Sequence, residues 1–353
     1  MASSNPKGKT ILCVAQNVLR ERCLVTVVLA VAMVAIVSWR REIDVRGVNP
    51  YKFWENKVTW SQNADMAVIG DSRILQGISP QAMRKMLVDY RVLNFGFFGT
   101  GYSPEYLFAG KNLLDPKSKK KIILLGITPH SLTPEAVKSN GWLFRKKQYQ
   151  KANIIKRRLG CLDQLVSPLK IKESLDLFKI KREDRQYFSE NTPAGWSGVI
   201  RPVIPDDALR SYKLAFINNR TGTHIVDEII DATHKWGREG INVYAFRPPT
   251  SSEMVELEDS LSGFDEKSFR NRFEGAGGIW IDVNPSQYST YDGSHLNRYG
   301  AEKLSLELAR KISRYQQNRQ QAINSRNLPA NKSSVNHLAD TQNSTGTLLQ
   351  RQF

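Results

Sequence analysis

Between residues 66 and 135 an apolar, strand-like run leads three times through a loop to a Ser/Thr-Pro pair. No other feature restricts the fold as much. Met66-Ala-Val-Ile-Gly70 leads to Ser79-Pro80, Arg91-Val-Leu-Asn-Phe95 to Ser103-Pro104-Glu105, and Lys121-Ile-Ile-Leu-Leu-Gly126 to Thr133-Pro134-Glu135. A hydroxyl can cap a helix by accepting from its orphan N–H groups, and proline suits the first helical position, where its missing N–H costs nothing. Strand-helix units repeated in this way predict an α/β fold, a central parallel sheet with helices on both faces, that is, a three-layer sandwich.

The rhythm resumes further on. Ile225, Val226, Ile229, Ile230 and Trp236 line one face of a helix that Gly237 and Gly240 end, and Ile241-Asn-Val-Tyr-Ala-Phe246 reads as the next strand. Gly278-Ile-Trp-Ile-Asp282 is the expected fifth strand, and Ala301, Leu304, Leu308 and Ile312 mark a closing helix. From Asn140 to Ala215 the rhythm is absent, so residues 140–215 read as an inserted basic lid, helical in part. The α/β domain is therefore expected over 65–314, behind a linker at 40–64, and residues 315–353 read as a disordered polar tail.

Ahead of the linker the chain runs without charge from Leu24 to Trp39, with Arg20 and Arg22 before it and Arg40 and Arg41 after. That is slightly short of the roughly 20 residues that span a bilayer, but Cys23 and snorkelling arginines extend it. A single-pass anchor over 23–39, preceded by a basic segment at 1–22, competes with a signal peptide cleaved near Ala30-Val31-Ala32 and with a buried core helix. Bracketing arginines favour the anchor. Basic residues flank both ends, so charge alone does not orient it; a long domain behind an N-terminal anchor is expected to lie outside the cytoplasm, periplasmic or at the cell surface.

The formal net charge is +17. Its basic residues gather in Lys117–Lys121, Arg145–Arg158, Lys170–Arg185 and the tail, outside the segments that carry chemistry, so nucleic acid is not the expected partner. An anionic membrane surface or an acidic polysaccharide fits better, and a solvated basic face is the plain alternative. Cys13, Cys23 and Cys161 form neither a disulfide framework nor a metal-ligand spacing, and no metal or other cofactor is expected.

In an open parallel sheet, ligands bind at the carboxyl ends of the strands, where Ser72, the Asn94–Gly101 segment, Thr128 and the turn Asp292-Gly-Ser-His295 are expected to meet. Gly-Asp-Ser alone is a common turn, and Asp-x-x-His alone says little. Together, at the first and last strand ends of such a pattern, they place a hydroxyl nucleophile, a base and its orienting carboxylate on one chain. Asp71 reads as a structural hydrogen-bonder. Arg73 and Arg247 are placed to meet a substrate carboxylate or phosphate, with structural salt bridges as the alternative. Trp142, Trp196 and Tyr291 offer stacking surfaces or lid packing, and His224 and His234 read as solvated.

Gly70-Asp71-Ser72, Asn94-Phe-Gly-Phe-Phe-Gly99 and Asp292-Gly-Ser-His295 resemble three blocks of the SGNH/GDSL hydrolase family, over roughly Asp65 to Arg314. The resemblance implies its flavodoxin-like fold, with Ser72 as nucleophile, His295 as general base, Asp292 as orienting carboxylate and the Gly99 N–H in the oxyanion hole. The third block departs: Gly126-Ile-Thr128-Pro129 stands where the family has Gly-x-Asn-Asp. Thr128 is then the expected second oxyanion donor, and His130, two residues on, is a candidate substitute or a structural histidine. Loss of one such donor typically costs about 10²–10³ in rate. An anchored chain of this kind is similar to the accessory proteins of extracytoplasmic O-acetylation, of the alginate-acetylation and teichoic-acid D-alanylation types, which pass an acyl group through a serine to a polymer hydroxyl. The resemblance implies a membrane-embedded acyl-donor protein as a partner. An esterase or deacetylase on the same residues, and a non-catalytic glycan-binding or assembly scaffold, stay open.

Overall fold

Each of the three Ser/Thr-Pro pairs opens a helix, by the same contact. The side-chain oxygens of Ser79, Ser103 and Thr133 accept from the N–H groups of Ala82, Tyr106 and Ala136 respectively, with proline next in each helix. In this computed structural model, residues 47–151, 188–205 and 207–326 are described, together with Val25, Thr26 and Leu29.

Five parallel strands form the central sheet: β1 (Met66–Gly70), β2 (Val92–Gly96), β3 (Ile122–Gly126), β6 (Asn242–Phe246) and β7 (Ile279–Trp280). Their spatial order is β2-β1-β3-β6-β7, so the chain reverses direction across the sheet between β1 and β3. That is the topological switch point, where loops leave the sheet in opposite directions and open a crevice. The α/β expectation holds, with the fourth and fifth strands close to where the sequence places them.

The strands are buried on both faces, as helices on both sides require. Ala67, Ile69, Ile123, Leu125, Val243 and Ala245 belong to one apolar cluster with Tyr106, Ile225, Ile229, Trp236 and Phe269, while Met66, Val68, Leu124 and Tyr244 are also buried. The helix Thr223–Arg238 buries Ile225, Ile229, Thr233 and Trp236, a stripe at helical spacing.

Two expected boundaries change, and the insertion gains a hairpin. The proposed linker at 40–64 contains the helix Pro50–Thr59, whose Phe53 and Lys57 are buried, so from Pro50 onward it belongs to the body. Lys57 hid this, because a lysine inside an apolar face blurs the helical stripe. The described parts of the insertion 140–215 are helical at Gly141–Lys151, and also carry a hairpin pairing that the sequence did not suggest, β4 (Phe188–Asn191) antiparallel with β5 (Ser197–Ile200). Trp196 is fully buried there and donates its indole N–H to the Gln76 carbonyl at 2.7 Å. The tail expected to begin at 315 is helical through Arg326. The chain divides into compact units Met1–Lys311 and Ile312–Phe353.

Among the described residues no helix is long and apolar enough to cross a membrane. The expected anchor at 23–39 lies outside them except for Val25, Thr26 and Leu29, as do residues 152–187 and 327–353.

Candidate active site

β1 ends at Gly70 and the chain turns at once into the helix Ser72–Gly77, which places Ser72 in its first position. Asp71 caps that helix. Its Oδ1 accepts the Arg73 N–H at 2.9 Å and its Oδ2 accepts the Thr128 hydroxyl at 2.6 Å. The helix also lies backbone to backbone on the end of β2: a Cβ on Gly96 would sit 2.3 Å from the Leu75 nitrogen and 2.9 Å from the Asp71 carbonyl oxygen. Only glycine admits that approach.

Asn94 holds the far end of the same helix. Its Nδ2 donates to the carbonyls of Ile74 and Ile78, both at 2.7 Å, and its Oδ1 accepts the Gly96 N–H at 2.9 Å. At the strand ends, the single Tyr106 hydroxyl proton is shared between the Gly70 and Phe95 carbonyls, and that of Tyr102 between those of Ile69 and Gly126. Burial pushes both phenols well above their ordinary range, so they remain protonated donors. Lys57 donates to the Asn94 and Gly195 carbonyls at 2.7 Å each, and burial pushes its amine well below the ordinary range.

The last turn supplies the partner groups. Asp292 Oδ1 accepts the N–H groups of Ser294 and His295 at 2.9 and 2.7 Å, leaving Oδ2 to meet His295 Nδ1 at 2.8 Å. Burial acts to raise the Asp292 carboxyl, but the hydrogen bonds from His295 and the two backbone N–H groups outweigh it and the net shift is down. An ionised Asp292 can only accept, so in the neutral imidazole Nδ1 carries the proton and Nε2 is the acceptor. That nitrogen lies 2.9 Å from Ser72 Oγ. Tyr291 stacks on the imidazole, with ring centroids 5.9 Å apart, and donates its hydroxyl to Gln76 Oε1.

Ser72, His295 and Asp292 are thus brought together in the order that serine activation requires. Two backbone N–H groups of this region have no claim on them. Neither Ser72 nor Gly99 has a hydrogen-bond acceptor for its backbone N–H among the described residues. Gly99 is exposed at φ +56°, a left-handed conformation that glycine adopts without strain.

Other expected site residues lie elsewhere in the network. Thr128 is fully buried and gives its hydroxyl proton to Asp71, while accepting the Ser131 N–H at 3.1 Å, so it does not serve as an oxyanion donor. Arg73 does not face a substrate: its guanidinium is buried, forks onto both oxygens of Glu258 at 2.7 and 3.2 Å, and donates Nε–H to Ser294 Oγ at 3.0 Å. Arg247 is likewise structural, paired with Glu258, Asp259 and Glu266. Both guanidiniums are held by carboxylates, and that of Arg73 is out of reach of solvent. Trp142 and Trp196 are buried packing groups, and His224 and His234 are exposed on their helix.

Arg73 and Ser294 therefore tie the turn that carries Ser72 to the turn that carries His295. Sequence reasoning assigned no such role to Ser294, Tyr212, Asn94 or Glu258, because each acts on residues far away in the chain. Only Asn94 carried a local signal, as an amide inside an otherwise apolar strand.

No family model matches the chain, and no curated protein matches it. Among solved structures, the chain is similar to the crystal structure of the lipase/acylhydrolase from Enterococcus faecalis, with 13% sequence identity over 70% of this chain and 94% of that one, at a TM-score of 0.33. An overlap that loose does not define a common fold.

Proposed function

We propose that the chain is an SGNH-like serine enzyme of acyl esters, working through an acyl-Ser72 intermediate and transferring the acyl group to a hydroxyl of an extracytoplasmic polysaccharide. One observation carries the enzymatic reading: Ser72 Oγ, His295 and Asp292 Oδ2 form a continuous hydrogen-bonded relay of 2.9 and 2.8 Å.

In the first step Ser72 Oγ adds to the acyl carbonyl carbon as its proton passes to His295 Nε2, and Asp292 stabilises the imidazolium. The negative charge on the carbonyl oxygen is met by the N–H groups of Ser72 and Gly99. Collapse expels the leaving group, which takes the proton back from His295. In the second step an acceptor hydroxyl loses its proton to His295 and attacks the acyl-serine, and Ser72 regains that proton as it leaves. Water in place of the sugar hydroxyl makes the same chemistry an esterase or deacetylase. The choice of a polymer acceptor is supported by the family resemblance and by the basic composition. An anchor at 23–39, with the body outside the cytoplasm, fits that setting, as would a membrane-embedded acyl-donor protein.

The test is to treat detergent-solubilised full chain with a small acyl ester and weigh the protein, with Ser72→Ala in parallel. A covalent adduct on wild type alone, discharged faster when sugar polymer is added and with acyl groups recovered on it, is the expected result. Discharge indifferent to polymer favours the esterase. No adduct with any donor favours a scaffold that kept the fold.

A further inference from the structure

Four residues beyond the end of β3, His130 opens a short 3-10 turn (His130–Leu132) beside the topological switch point where Ser72 lies. The turn is braced. Ser131 Oγ donates to the Thr128 carbonyl at 2.8 Å, the Ser131 N–H meets the Thr128 hydroxyl, and the Thr133 hydroxyl donates to the His130 carbonyl at 2.9 Å.

The imidazole stands edge-on to Tyr212 and Phe216, with centroids 5.7 and 6.3 Å away. Tyr212 links it to both halves of the site: its hydroxyl accepts from Ser294 Oγ at 3.1 Å, and its ring stacks on the Arg73 guanidinium at 4.9 Å. Asp71, Arg73 and Glu258 are the charged groups within electrostatic reach of the ring. Yet the ring nitrogens of His130 bond to no group among the described residues. Because no buried side-chain nitrogen or oxygen among the described residues lacks a partner, those nitrogens must reach accessible space. A half-buried histidine with its ring fixed by aromatics and its polar edge unspent is built for a ligand rather than for the core.

We infer that His130 is a further catalytic residue of this site, donating a hydrogen bond from its imidazole N–H to the acyl carbonyl oxygen as Ser72 adds, in place of the amide absent at position 128. No proton is transferred in this contact. Burial holds the imidazole below its ordinary range, so the ring is the neutral donor at pH 7. The inference rests on the acyl-transfer reading and names a third donor beside Ser72 and Gly99.

The experiment measures turnover of p-nitrophenyl acetate and the rate of Ser72 labelling by a fluorophosphonate in the full chain, for wild type, His130→Ala and His130→Gln. Melting temperatures are recorded for all three. For His130→Ala the expected result is a fall in kcat of about 10²–10³, the usual loss for one oxyanion donor, with KM within about twofold. His130→Gln, which restores an N–H donor, should recover at least about tenfold of that loss. Undiminished kcat in His130→Ala overturns this inference alone, and so does an equal loss in both variants at unchanged melting temperature. A wild type that neither turns over esters nor takes the label at Ser72 overturns the acyl-transfer reading and this inference together.

Discussion

Replacing Glu258 with glutamine should destabilise the protein more than removing the arginine that it pairs with beside Ser72. Glu258 is wholly buried and serves two cations: Arg73, whose side chain is 1% exposed, and Arg247, at 14%. At an effective dielectric near 20, unit charges about 4 Å apart attract by about 4 kcal/mol, and breaking a buried pair typically costs about 3–5 kcal/mol because one charge is left uncompensated. Glu258→Gln strands Arg73, which has no other carboxylate within salt-bridge distance among the described residues, whereas Arg247 keeps Asp259 and Glu266. Arg73→Met leaves Glu258 still paired with Arg247 and should cost less, about 1.5–3 kcal/mol, the range for a hydrogen bond to a charged group. With both replaced, by Met at 73 and Gln at 258, the loss should fall below that of Glu258→Gln alone, since no buried charge is stranded. The assay is urea unfolding of the full chain followed by tryptophan fluorescence, arranged as a double-mutant cycle. Arg73→Met equal to or worse than Glu258→Gln, or a coupling energy near zero, would refute the reasoning.

Three further outcomes are expected. Asp292→Asn should leave the fold intact and lower kcat by about 10⁴, because an amide no longer selects the Nδ1–H tautomer of His295; pre-steady-state labelling of Ser72 reads this directly. Asn94→Ala removes the donors to the Ile74 and Ile78 carbonyls; Ile74 keeps the Ile78 N–H, so the change should cost about 1–3 kcal/mol for the buried Ile78 acceptor left unpaired, together with slower Ser72 labelling, whereas unchanged labelling would show that the helix keeps its place without the amide. Hydrogen bonds from Arg91, and then the Ser118 hydroxyl, hold the Asp65 carboxyl far below the carboxylate range against the opposing effect of burial. A carboxyl depressed on folding stabilises fully above its unfolded value of about 3.9 and loses that contribution as pH falls toward its folded value, so the urea midpoint of Asp65→Asn should start lower at pH 7 and fall less than wild type between pH 5 and pH 2.

Fold class was legible because it depends on local facts that repeat. A hydroxyl beside a proline after an apolar run specifies a helix start wherever it occurs, and three of them in succession leave few arrangements besides a parallel sheet. Ser72, Asp292 and His295 were legible for the same reason, since a turn at a strand end announces itself in four residues. The helix Pro50–Thr59 was not, because its buried Lys57 is satisfied by carbonyls at residues 94 and 195 that no local pattern could point to.

Side-chain duties beyond the triad were decided in three dimensions. Arginine beside a nucleophile and arginine at a strand end read alike as substrate contacts until Glu258, from a helix nearly two hundred residues after the first, appears between them. Thr128 was expected to face the oxyanion, but a hydroxyl has one proton, and the packing of β1 against β3 brings Asp71 close enough to take it. By itself the sequence determined the layers and which hydroxyl, imidazole and carboxylate could meet. Which polar groups remain free for a ligand follows only from the tertiary hydrogen-bond network, because a donor's availability depends on every neighbour that could claim it.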